Sequence, residues 1–229
     1  MPQQINSTLK NSILIVIFGV LLATTASAQI SFKAGVNIAT IAEEGMDVTR
    51  NDIDNKSVLG AILGITAEIP VADVFYIQPE LLFSQSGGSN SYTVGTAYTK
   101  STYKINYLEL PVLAKLKFGN KDESGVGIHV AAGPWLGYAL KGHSNTKTTV
   151  GEMVIFEQDR DYSFDDQDNA ERVNYGLIAA AGISFGHMVL DLRYNFGLNN
   201  LLDKDANNGN DSKPVLQTRG VALTVGYRF

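Results

Sequence analysis

The chain has 229 residues, 45% of them hydrophobic and 18% charged, with 22 Gly and no Cys. That length allows one large domain or two small ones, and the lack of Cys excludes a disulfide framework, a thiolate metal site and a lipid-modified cysteine. The formal net charge is −5. No basic stripe exists to meet phosphates, which argues against nucleic acid as a partner.

The first residues read as an export signal. Lys10 supplies the positive region, Ile13 to Ala23 the apolar stretch, and Ala26-Ser27-Ala28 the cleavage site. The apolar run falls short of the ~20 residues of a spanning helix. Residues 1–28 are therefore expected to be a signal peptide and 29–229 the mature domain. Cleavage removes one Lys and no acid, leaving 17 basic against 23 acidic residues, a net charge of −6.

Eight strands are expected, each with alternating character: about 29–39, 57–69, 73–84, 103–118, 125–140, 172–185, 188–198 and 214–229. In each, one parity is apolar and the other small or polar. Ile30, Phe32, Ala34, Val36 and Ile38 in the first strand alternate with Ser31, Lys33, Gly35 and Asn37. The last strand alternates Val221, Leu223, Val225, Tyr227 and Phe229 with Ala222, Thr224, Gly226 and Arg228. A period of two defines a strand with two unlike faces. An apolar outer face over a polar or small inner face is the pattern of a transmembrane barrel. A soluble barrel would reverse it. Val58, Ile62, Leu113 and Trp135 are apolar exceptions on the inner parity. Pro79 and Pro111 each remove a ladder donor, and a bulge is expected at both.

The connections sort by parity. Long polar segments (40–56, 85–102, 141–171, 199–214) follow the odd strands, and short turns (70–72, 119–124, 186–187) follow the even ones. An up-and-down barrel with short periplasmic turns and long outer loops has this alternation. The expected fold is thus an all-β, eight-stranded antiparallel up-and-down transmembrane β-barrel. Both termini lie on the periplasmic side, and the first and last strands pair so that no edge is left open in lipid. Tyr138, Tyr175, Tyr194, Phe196, Phe118, Phe185, Tyr227 and Phe229 fall toward strand ends, as aromatic girdles do.

Several segments resemble the PorT-type outer-membrane β-barrel family of Bacteroidota: Gly35–Thr40 (GVNIAT), Gln78–Ser84 (QPELLFS), Ile105–Phe118 (INYLELPVLAKLKF), Ala131–Tyr138 (AAGPWLGY), Leu190–Leu198 (LDLRYNFGL) and the terminal GYRF. The resemblance runs through essentially the whole mature chain. It implies a small porin-like barrel and no reaction. Founding members of that family are linked to protein secretion and gliding machinery. Val225, Tyr227 and Phe229 are similar to the terminal pattern read by barrel-insertion machinery.

An eight-stranded barrel is just wide enough for its own inward side chains. The inward charges are Lys33, Glu68, Glu80, Glu109, Lys115, Lys117, Asp191, Arg193 and Arg228, with His129 beside them. Four acids and five fixed bases nearly balance, and buried charges persist only when paired. A lower-lumen salt-bridge network is expected, with Arg193 between Glu80 and Glu109, and Arg228 turned toward Glu68 and Asp191.

Other chemistry finds less support. Asp203–Asp211 (DKDANNGND) starts like a calcium loop, then lacks Gly at the sixth position and Glu at the twelfth. The acids between Glu157 and Glu171 read as a solvated loop. His143-Ser144 are neighbours whose side chains would point to opposite faces, so they cannot form a nucleophile–base pair. Tyr92, Tyr98 and Tyr103, with the Ser and Thr around them, suit a β-rich hairpin that prolongs the third and fourth strands and offers a surface to another protein. The expected protein is a non-enzymatic scaffold or interaction protein of the cell envelope, without cofactor or metal. Its partners are outer-membrane lipid and lipopolysaccharide, the insertion machinery and other envelope or secretion proteins. A small-solute channel is the alternative reading, and a lipid-modifying enzyme the weaker one.

Overall fold

The computed structural model describes residues 28–44, 54–119, 125–162, 172–199 and 215–229. The signal segment, the calcium-like stretch 203–211 and the acids Asp165, Asp166, Asp168 and Glu171 lie outside them.

Nine strands are present: β1 (Gln29–Glu44), β2 (Asp54–Pro70), β3 (Phe75–Val94), β4 (Ala97–Gly119), β5 (Val126–Val150), β6 (Met153–Tyr162), β7 (Val173–Phe185), β8 (Met188–Gly197) and β9 (Val215–Arg228). Eight of them close a ring in the order β1-β2-β3-β4-β5-β7-β8-β9, with β9 back on β1. Every pairing is antiparallel. The closing seam runs from Ser31↔Arg228 to Glu44↔Val215, and the Phe229 amide donates to the Ile30 carbonyl at 3.0 Å. The expected pairing of first and last strands is what the structure has.

The ninth strand corrects the sequence reading. β5 is 25 residues long. Its first half, Val126–Tyr138, pairs with β7, and its second half, Gly142–Val150, pairs with β6 instead. Thus 141–162 is a hairpin and not a loop. β3 and β4 also run on past the ring, paired to Val94↔Ala97, as the Tyr/Ser/Thr composition suggested. Together with Asp54–Ser57 of β2 they build a sheet standing above one rim of the barrel. Two tight turns, Gly95-Thr96 and Gly151-Glu152, crown it. The glycines have φ of 63° and 58°, a left-handed region that an L side chain rarely adopts and that primed hairpin turns require.

The bulges are not at the prolines. Register is unbroken past Pro79 and Pro111, although the ladder is interrupted beside each. The irregularities fall between Ser57 and Ile62 of β2, opposite Asn106/Tyr107, where Leu140 of β5 is the extra residue, and opposite Thr148/Thr149, where Ile155 of β6 is the extra residue. A missing donor deletes one hydrogen bond without adding a residue, so it need not shift register.

The apolar parity faces outward around the ring. Leu59, Leu63, Leu110, Ile128, Leu177, Leu192 and Leu223 are each about half exposed. A continuous shell of this kind is unstable in water and stable in lipid. On β4 the outward apolar run spans Leu108 to Phe118. At ~3.3 Å per residue and ~45° tilt it is about 23 Å tall, close to the ~25 Å apolar band of an outer-membrane barrel. Phe32, Tyr227 and Phe229 pack edge to face at 5.3 and 5.4 Å near the short-turn rim.

Candidate functional site

The inward parity carries a connected polar network across the lumen. Arg193 of β8 reaches Glu80 of β3 with both amino groups, Nη1 to Oε2 and Nη2 to Oε1, each at 2.9 Å. Lys33 of β1 bridges two acids, Glu80 at 2.8 Å and Asp191 of β8 at 2.9 Å. Asp191 also meets His129 Nε2 of β5 at 2.5 Å. Gln78 donates to Glu80 at 2.5 Å and accepts from Lys115 at 3.0 Å. Lys115 pairs with Glu68 at 2.5 Å, and Lys117 stands 3.6 Å from that carboxylate. The chain Lys117–Glu68–Lys115–Gln78–Glu80–Arg193, with the branch Lys33–Asp191–His129, thus ties together six strands of the ring.

Apart from Lys117 at its edge, this network is buried. Arg193 is 1% exposed at its side chain and Glu80 0%. Charges so deep are tolerable only with close partners, and the bidentate Arg–carboxylate fork supplies the strongest of these. Gly182 makes room for one part of it. A Cβ there would lie 2.5 Å from His129 Cε1 and 2.6 Å from Asp191 Oδ1.

Seven of the nine expected lumen charges join: Lys33, Glu68, Glu80, Lys115, Lys117, Asp191 and Arg193. Two do not. Glu109 is buried but forms no ion pair among the described residues. Arg193 turns both amino groups to Glu80, so it does not sit between Glu80 and Glu109. Arg228 turns to the rim, donating to Gln29 Oε1 at 3.1 Å and the Gly186 carbonyl at 3.0 Å. At the last position of β9 it has backbone and amide acceptors within reach and bridges neither Glu68 nor Asp191. Val225, Tyr227 and Phe229 are exposed along the outward parity of β9.

Sequence reasoning missed the second component of the lumen. Beyond the charges lies an apolar stopper: Leu113, Ala131, Trp135 and Ile178 in one cluster, Ile62, Leu82 and Ala222 in another, Tyr107 and Ala139 in a third. Ile62, Leu113 and Trp135 are three of the four parity exceptions, and they were the available signal; Val58 is in none of these clusters. Higher still, Asn37 donates to Ser86 Oγ and the Gln85 carbonyl, each at 3.2 Å.

The standing sheet carries a separate set of charges. Lys141 meets Asp161 at 2.8 Å, and His143 Nδ1 meets Asp161 at 2.9 Å. His143 Nε2 faces Asp159 at 3.7 Å, and Asn145 donates to Asp159 at 2.6 Å. The acids Glu157, Asp159 and Asp161 are therefore on strand β6, not in a solvated loop. Hydrogen bonds from Lys141 and His143 hold the Asp161 carboxyl below its usual range. Ser144 is buried while His143 is exposed, the opposite-face arrangement expected of neighbours.

A closed antiparallel ring, apolar outside and filled with paired charges inside, defines an integral β-barrel of the bacterial outer membrane. The chain belongs to the family described as outer membrane protein beta-barrel domain, whose model matches residues 19–203. A search of curated proteins returns no match. Among solved structures, it is similar to the attachment invasion locus protein Ail of Yersinia pestis, solved with the heparin analogue sucrose octasulfate. Identity there is 16%, with 88% of this chain and 99% of that chain covered and a TM-score of 0.37. For Neisserial surface protein A the values are 13%, 89%, 99% and 0.43. For OprG of Pseudomonas aeruginosa they are 12%, 88%, 96% and 0.37.

Proposed function

We propose that this barrel is a non-enzymatic interaction protein of the cell envelope, with a plugged lumen and a standing sheet that meets its partners. Lumen filling supports the reading: among the described residues, buried ion pairs occupy one layer and Leu113, Trp135, Ile178, Ile62 and Leu82 the next. In this reading the termini and the Gly186 turn face the periplasm, and the Gly95 and Gly151 turns face outside. The short-turn/long-hairpin asymmetry of known barrels supports that orientation. The Asn-Tyr-Leu-Glu-Leu-Pro segment (Asn106–Pro111) supports placing the chain in the PorT-type subgroup.

The placement of His143 argues against a lipid hydrolase. Nδ1 pairs with Asp161 at 2.9 Å and Nε2 looks toward Asp159 at 3.7 Å, while the neighbouring Ser144 is buried on the opposite face and cannot serve as its nucleophile. The exposed Val225, Tyr227 and Phe229 suit recognition by insertion machinery, and deleting Phe229 should lower the yield of assembled, heat-modifiable barrel. The direct test is in-membrane crosslinking from the Gly95 and Gly151 hairpins, with liposome swelling in parallel. Captured envelope proteins and no swelling are expected. Swelling with small sugars would replace this reading by a channel.

A further inference from the structure

The standing sheet holds a second set of lysines that the ion pairs above do not neutralise. β3 and β4 keep one register from Val94↔Ala97 down to Phe83↔Leu108. Tyr98, Lys100, Thr102 and Lys104 therefore share the outward parity of Leu108. On β5 the extra residue Leu140 switches parity, so that Lys141, His143, Asn145 and Lys147 come to the same side. The opposite parity is internal, with Thr99–Thr148 and Ser101–Thr146 hydroxyl contacts at 3.0 and 3.1 Å.

On the outward side Lys100 lies directly across from Lys147. Like charges so placed destabilise a sheet unless something sits between them. No carboxylate forms an ion pair with Lys100 or Lys104 among the described residues, and the one at Lys147, Glu157, is 3.9 Å away. A shallow pocket of about 250 Å³ opens at this pair, lined by Tyr98, Lys100, Thr102, Asn145, Lys147 and Thr149. Two ammonium groups, three hydroxyls and the second N–H of the Asn145 amide can donate; the wall itself holds no acid, and Asp159 and Glu157 of β6 flank it across from Asn145 and Lys147. That donor set is made for a tetrahedral oxyanion.

We propose that this pocket binds a phosphate on the sugar head group of an outer-leaflet glycolipid. The pocket faces sideways, over the membrane, not away from it. Lys100 is eight residues beyond Leu108, so it stands about 19 Å above the apolar band at ~3.3 Å per residue and ~45° tilt. A bilayer's polar region is only roughly 5–7 Å deep on each side. A simple phospholipid phosphate does not reach Lys100, whereas a phosphorylated oligosaccharide head group does. Lys104 and Lys141, nearer the band, line the approach. This inference rests on the outward orientation of the Gly95 and Gly151 hairpins.

The test uses the full barrel in nanodiscs of zwitterionic phospholipid, titrated with deacylated, phosphorylated core oligosaccharide. Hydrofluoric-acid-dephosphorylated oligosaccharide and inorganic phosphate are the comparators. Phosphorylated oligosaccharide should bind at least tenfold more tightly than either comparator. Lys100→Ala/Lys147→Ala should abolish that preference, and Lys56→Ala, another exposed lysine of the same sheet, should keep it. Lys100→Gln, which relieves the facing pair, keeps the test readable if the double variant assembles poorly. Equal binding of the dephosphorylated form, or an unchanged double variant, overturns the site. Equally tight inorganic phosphate overturns the glycolipid assignment. Maleimide labelling of Glu152→Cys on intact cells reads orientation separately. Labelling without binding sinks the site alone, and absence of labelling sinks the orientation and with it the lipid source.

Discussion

The lumen and the standing sheet contain the same kinds of charged residue under opposite physics. Lys115–Glu68 is 2% and 4% exposed, whereas Lys141–Asp161 is 59% and 58% exposed. Inside, desolvation makes each charge depend on its partner, so the network holds strands in one relation at high stakes. Outside, water screens the same attraction and a pair contributes little. The lumen charges are thus buried and mutually dependent, and the outer pairs are exposed to solvent.

The contrast is broken most severely by Arg193→Ala. It leaves Glu80 buried with one of its two cations gone, and breaking a buried pair costs about 3–5 kcal/mol. Urea unfolding in detergent, followed by heat-modifiability, should record that loss. Glu109→Gln sharpens the comparison within the lumen. It removes a buried carboxyl that has no ion-pair partner, so the loss should be about 1 kcal/mol or less, the ordinary scale of a point substitution. An Arg193-sized loss at Glu109 would mean that the lumen charges act through net balance and not through the specific pairs.

The smallest effect is at Asp161. Its carboxyl is held below the ordinary value, so the hairpin gains from it at pH above that value and loses the gain as pH falls through the lowered one. Amide protection in β5 beyond Leu140 and in β6, taken relative to the intrinsic exchange rate at each pH, should be flat from neutral pH down to about 4, the ordinary aspartate range, and fall only below it. Exchange in the lower halves of β5 and β8 should not follow.

This same division explains what the sequence could reveal. The eight membrane strands were legible because lipid enforces one apolar parity on each, from Ile30–Ile38 to Val221–Phe229. Above the membrane no such rule applies. Lys141 to Thr149 reads as polar on both parities, so it resembled a loop, and only the β-branched run Thr148–Val150, the Gly151 turn and Met153–Phe156 marked a hairpin. The inward charges were legible as a set, since parity alone places them. Their partners were not. Whether Arg193 takes Glu80 or Glu109 depends on register around the ring, between residues 113 apart in the chain. Gln78, a neutral link between Lys115 and Glu80, carries no charge signal at all. The parity switch at Leu140 hid the outer lysine face for a similar reason: one extra residue turns every later side chain over.

Conductance of the purified full-length barrel in planar bilayers tests the plugged lumen most directly. The parent protein should show no steady opening at moderate voltage, and openings should appear only after the charge network and the stopper are both loosened, by Glu80→Ala together with Trp135→Ala. A steady, large conductance in the parent protein would contradict it.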